Sequence, residues 1–138
     1  MEQPKERMMA MRLRGMMAAL VIEFITGVTL GTFWAYDPTV TTQSRAVSII
    51  LGIHILLAIG LIIGSITALF GAIKTKAAKL KTILLGFICI LGAAVSGSVV
   101  VNTSHQNLGI FLMAMFFLAA LLIYGRWLGE VMNTLKKN

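Results

Sequence analysis

Residues 46–73 read AVSIILGIHILLAIGLIIGSITALFGAI, a run without a charged side chain or a proline, bounded by Arg45 before it and Lys74 after it. Crossing a hydrocarbon core about 30 Å thick takes about 20 helical residues. This run therefore reads as a membrane-spanning helix with length to spare. Three more runs have the same character, Met16–Tyr36, Leu80–Val101 and Leu108–Leu128. Lys81 and Arg126 stand near their ends, and Glu23 is the one charge set well inside a run. Composition agrees with this reading. A soluble domain carries about 25% charged residues, whereas this chain of 138 residues has 12%, with 58% hydrophobic residues and a mean hydropathy of +0.90. That balance excludes a soluble enzyme, a disulfide-rich secreted module and a disordered tail.

The expected architecture is all-α, one integral membrane four-helix bundle spanning residues 1–138. The connections between runs are short, so consecutive helices are expected to be antiparallel neighbours. Asp37-Pro38 marks the first turn and Asn102-Thr103-Ser104 the third. Lys5, Arg7, Arg12, Arg14, Lys74, Lys76, Lys79, Lys81, Arg126, Lys136 and Lys137 fall on one side of such a bundle, leaving Arg45 on the other. Basic loops stay in the cytoplasm, which predicts a multi-pass protein of the plasma membrane or its equivalent with both termini cytoplasmic. The first run is too long for a signal peptide, holds Glu23 and lacks a small-residue cleavage site, so it reads as a retained helix. The net charge of +7 belongs to these loops and does not point to nucleic acid. Lys74, Lys76, Lys79 and Lys81 would attract anionic lipid by roughly 1 kcal/mol each.

Few residues offer chemistry. Glu23 lies about 10 Å inside the first run at 1.5 Å per residue, where a charged group costs about 2.5–3.5 kcal/mol. It reads as a proton carrier, cation ligand or counter-charge, or else as a carboxyl paired with a basic neighbour such as Arg14. His54, roughly 12 Å into the second run, reads as an axial haem ligand or as an imidazole bonded across a helix pair. His105 falls in the outer loop, as a second ligand or a solvated side chain. Met1, Met8, Met9, Met11, Met16 and Met17 have the thioethers that suit Cu(I), and equally the apolar side of an interfacial segment. Cys89 reads as a small packed hydrophobe. Gly27/Gly31, Gly60/Gly64, Gly92/Ser96 and Gly125/Gly129 are small residues four apart, which let helices approach within a bundle or between subunits. Thr26, Thr29 and Thr32, with Ser65 and Thr67, would line a polar path or bond their own helix carbonyls. No phosphate loop, dinucleotide fingerprint, His-Glu-x-x-His or Ser/His/Asp arrangement is present, so a self-contained hydrolase is not expected.

A loose internal repeat runs through the chain. Leu51-Gly52-Ile53-His54-Ile55-Leu56-Leu57-Ala58 matches Leu108-Gly109-Ile110-Phe111-Leu112-Met113-Ala114, and Gly27-Val28-Thr29-Leu30-Gly31 matches Gly92-Ala93-Ala94-Val95-Ser96-Gly97. A glycine-rich helix followed by Gly-Ile-His-Ile-Leu-Leu-Ala and repeated as a second hairpin resembles one four-helix half of the haem A synthase group, and similar small four-helix membrane proteins. The resemblance implies haem b held between histidines of the second and fourth helices. His54 matches the first of these positions and Phe111 stands at the second. The acidic residue expected just before the histidine is missing from Ile49-Ile50-Leu51-Gly52-Ile53.

Two functional classes follow. One is a haem-binding or redox-associated membrane protein using His54 and His105. The other is a non-enzymatic accessory subunit of a membrane complex, or a small oligomeric transporter using Glu23. The partners implied are the lipid bilayer and either further copies of the chain or a larger membrane complex.

Overall fold

The computed structural model describes residues 3–33, 44–74, 79–102 and 106–137. Within them the chain is helical apart from Ser44 and Lys79: α1 (Gln3–Val28), a π-helical turn (Thr29–Phe33), α2 (Arg45–Lys74), α3 (Leu80–Asn102) and α4 (Gln106–Lys137). Each helix holds a segment long and apolar enough to cross a membrane, Arg7–Gly31, Arg45–Gly71, Leu80–Val100 and Asn107–Lys136. Helices suit such segments because lipid supplies no hydrogen bonds and a helix satisfies its backbone internally. At the start of α2, Ser44 caps the first turn: its Oγ accepts from Val47 N at 3.3 Å and its carbonyl from Ser48 N at 3.1 Å.

Two boundaries differ from the sequence expectation. α1 starts at Gln3 and continues straight into the apolar run. Its methionine-rich start has an inner face, where Ala10 and Leu13 are buried, and an outer face with Met8, Met9 and Met11 exposed. Pro4 is compatible with that start, because a first-turn residue has no helical partner for its N–H anyway. α4 continues past Leu128 to Lys137, and Glu130 anchors that extension by pairing with Lys79 and, at 3.5 Å, with Arg126.

Each helix packs on the next in sequence and α4 closes back on α1, with the α3–α4 contact the most extensive. Glycine explains why that pair is tight. A Cβ on Gly86 would lie 2.7 Å from Cζ of Tyr124, and one on Gly92 would lie 2.7 Å from Cε1 of Phe116. A Cβ on Gly109 would meet Val100 Cγ2 at 2.7 Å and the Ser96 carbonyl at 3.0 Å. Two aromatic rings from α4 thus rest against bare α3 backbone, and Gly109 of α4 in turn takes Val100 of α3. Lipid tails are as apolar as leucine, so close packing of this kind is what holds membrane helices together. α2 is different: a Cβ on Gly52 or Gly60 would meet nothing within 4 Å, and one on Gly64 only Met16 Cγ at 4.0 Å.

The bundle is therefore uneven along its length. Toward the termini it is solid, with Leu13, Leu20, Ile83, Tyr124 and Trp127 in a continuous core. Toward the other end the four helices surround a cavity of about 390 Å³. Large apolar side chains such as Leu56 and Leu122 cover the outside, as suits a lipid-facing surface.

This packing predicts a contrast. Gly86→Ala and Gly92→Ala should each destabilise the bundle by about 1–3 kcal/mol through overpacking, because Tyr124 is fully buried and Phe116 is packed against the core. Gly60→Ala and Gly129→Ala, which meet open space within the chain, should be neutral or gain up to about 1 kcal/mol of helix propensity. Unfolding of the purified variants in detergent measures both.

Candidate intramembrane site

The cavity is lined by all four helices: the end of α1 with its π turn, the first half of α2, the second half of α3 and the start of α4. That lining is Leu, Ile, Val, Ala and Gly with Met113, Phe117 and Ser98, and Glu23 and His54 are the ionisable side chains among the described lining residues. Glu23 is fully buried, and the His54 side chain is 15% exposed. Their separation is 3.2 Å, from Nδ1 of His54 to Oε1 of Glu23. That is ion-pair distance, but the approach is off the direction of a hydrogen bond, and both carboxylate oxygens lack a hydrogen-bond partner among the described residues.

Thr26 sets the imidazole's orientation. Its hydroxyl donates to the Glu23 carbonyl at 3.0 Å and lies 3.3 Å from His54 Nδ1. A hydroxyl that has spent its proton on a carbonyl can only accept, so the proton between it and the ring belongs to Nδ1. Nδ1–H then points to Thr26 Oγ1 with the Glu23 carboxylate beside it, leaving Nε2 as the ring's second proton site. Gly27 makes room for this. A Cβ there would come within 3.0 Å of His54 Cε1 and of Met113 Cε, so the imidazole rests against bare α1 backbone one turn beyond Glu23. The π-helical turn follows at once, and Leu30 and Gly31 within it border the cavity. Such wide turns recur at functional sites in helices.

The sequence pointed to Glu23 and His54 separately; the fold makes them one site. Arg14, offered by the sequence as a partner for Glu23, instead lies against Met132, Nη2 to Sδ at 3.1 Å. With α1 beginning at Gln3, Glu23 sits beyond the middle of its span, in the half of the bundle away from the termini. Met113 and Phe117 on α4 complete the walls around the pair and carried no signal of their own in the sequence. Ser65 and Thr67 bond back to the carbonyls of Ile62 and Gly64, each at 2.8 Å, and Ser65 is buried away from the cavity. Ser96 does the same to Gly92. A Cβ on Gly125 would lie 3.4 Å from Met17 Cε, and one on Gly31 2.9 Å from Ile110 Cδ1.

His105 and residues 34–43 lie outside the described residues. Phe111, at the position where the resemblance calls for a second histidine, is 60% exposed on the outer surface. The described residues therefore supply His54 with no facing histidine for a haem, and no group of three or more His, Cys, Asp or Glu side chains among them surrounds a metal position. No family model matches this chain, and neither a curated protein nor a solved structure matches it.

Removing one member of a buried pair leaves the other uncompensated, at a cost of about 3–5 kcal/mol. His54→Ala should thus destabilise the protein strongly, and adding Glu23→Gln to it should restore part of the loss. A double-mutant cycle by detergent unfolding reads this, and additive effects would mean that the two side chains do not interact.

Proposed function

We propose that this chain is a small multi-pass membrane carrier, with both termini on the cytoplasmic side, in which the Glu23–His54 pair exchanges a proton with the compartment its cavity faces. The observation that carries this reading is a fully buried carboxylate with both oxygens lacking hydrogen-bond partners among the described residues, beside an imidazole and on the wall of an apolar cavity. Buried polar atoms left without partners are rare in structural roles and call for an explanation. Intramembrane ionisable groups mark proton relays and substrate paths.

Charge arithmetic supplies the mechanism. With one proton between carboxylate and imidazole beyond the neutral ring's own, the pair has no net charge. Losing that proton leaves a net negative charge among apolar side chains, which is expensive in a medium of low dielectric. Loss of the proton to bulk water is therefore favoured when another positive charge replaces it. That is the coupling rule of an exchanger. The cytoplasmic placement of the termini rests on the basic residues gathered at their end of the bundle, and it turns the cavity toward the outer half of the membrane.

Infrared difference spectroscopy on the reconstituted protein tests the reading. The carboxylic acid band of Glu23, identified by its loss in Glu23→Gln, should rise and fall as bulk pH is stepped and should shift promptly in D₂O. A band indifferent to both would make the pair a fixed structural contact and sink the proposal. Protein made with ample haem is expected to be colourless. A Soret band lost in His54→Ala would instead assign His54 to haem.

A further inference from the structure

We infer that the cavity binds a monovalent organic cation with an apolar body, taken up in exchange for the proton of the Glu23–His54 pair; this rests on the proton-exchange reading above. Three features of the lining converge on that class. The first is charge. Glu23 as carboxylate beside neutral His54 leaves one negative charge, α3 and α4 contribute no titratable side chain to the lining, and α1 and α2 contribute only these two among the described residues. One positive charge neutralises the site. A divalent ion overshoots, and an anion adds a second negative charge in low dielectric.

The second feature is the shortage of oxygen ligands. Hard cations such as Ca²⁺ take six to eight oxygens and Mg²⁺ about six, while the described walls give the two Glu23 carboxylate oxygens and the Ser98 hydroxyl, which already donates to the Val95 carbonyl at 2.7 Å. A bare inorganic ion would be under-coordinated here. An ammonium or phosphonium centre needs no such shell. The third feature is the wall itself. A volume of about 390 Å³ falls within the roughly 300–1,000 Å³ of small-molecule sites, and it is bounded by Leu51, Ile55, Ile62, Ile90 and Met113, with the Phe117 ring present for cation–π contact.

The balance is complete without a co-reactant. The cation enters, one proton leaves the pair for bulk water, and the site is neutral before and after. Protons and cation then compete, so below the pH at which the pair takes its proton, each further unit of acidity should lower the apparent affinity about tenfold.

The experiment uses the full chain in detergent, weakly buffered, titrated with tetraethylammonium and tetraphenylphosphonium to bracket size, and with tetraphenylborate as the anion of the same shape as the phosphonium. Saturable binding of one or both cations is expected, with one proton released per cation, weakening at low pH, and with no borate binding above the level of Glu23→Gln. Glu23→Gln should abolish cation binding and proton release together, and Glu23→Asp, which keeps the carboxylate, should retain measurable binding and control for misfolding. Equal binding by Glu23→Gln, equal binding of the borate, or no saturable binding of either cation would overturn the inference. If no cation binds while the Glu23 infrared band still follows bulk pH, the cation assignment falls and proton exchange stands; if the band does not follow pH, both fall.

Discussion

A carboxylate buried in a membrane bundle constrains everything packed around it. Glu23 is out of contact with water and lies 3.2 Å from His54 Nδ1, so α1 and α2 must present these residues at the same depth and on facing sides. Gly27 meets that demand by leaving α1 without a side chain where the imidazole rests. Thr26 meets it by placing its own proton on the Glu23 carbonyl and its hydroxyl oxygen 3.3 Å from His54 Nδ1, which holds the ring beside the carboxylate. Residues 23, 26 and 27 of one helix and residue 54 of the next thus form a unit whose geometry would not survive a sliding of α2 along α1.

The remaining helices divide the work of stability and space. Ring-on-glycine contacts at Gly86 and Gly92, and the approach of Gly109 to Val100, lock α3 to α4, and the core from Leu13 to Trp127 fills the end near the termini. α2 has no such lock, since Gly52 and Gly60 face open space within the chain. The hollow half follows from this inequality: a helix that cannot approach its neighbours closely leaves volume beside it. The ionisable pair stands where that volume begins, and apolar walls keep its electrostatics strong.

Much of the architecture was legible in the residues. Four apolar runs divided by short polar connections are a long-range signal that survives any error of a few residues at their ends. The ends themselves were less legible. The segment before Met16 is polar enough on average to read as lying outside the helix, yet Ala10 and Leu13 give it a buried face. Similarly, Arg126 stands near the end expected for α4, but Glu130, paired with Arg126 and with Lys79, carries the helix onward. The glycine spacing was visible, whereas its partners were not. Gly92 meets a ring and Gly60 meets nothing within the chain, and no spacing rule separates the two.

The sequence by itself determined that this is an all-helical chain with four segments able to cross a membrane, because hydrophobic length is a local, additive property. It also singled out Glu23 and His54, since an ionisable residue in an apolar run is conspicuous wherever the helix goes. Only the tertiary structure decided that the two meet, that Arg14 turns to Met132 instead, and that Phe111 faces outward while Met113 and Phe117 face the cavity. Those outcomes depend on the rotation and relative height of whole helices. In a helix that is apolar all round, no polar face reveals that rotation, so it is set by which side chains interlock with which bare stretches of backbone.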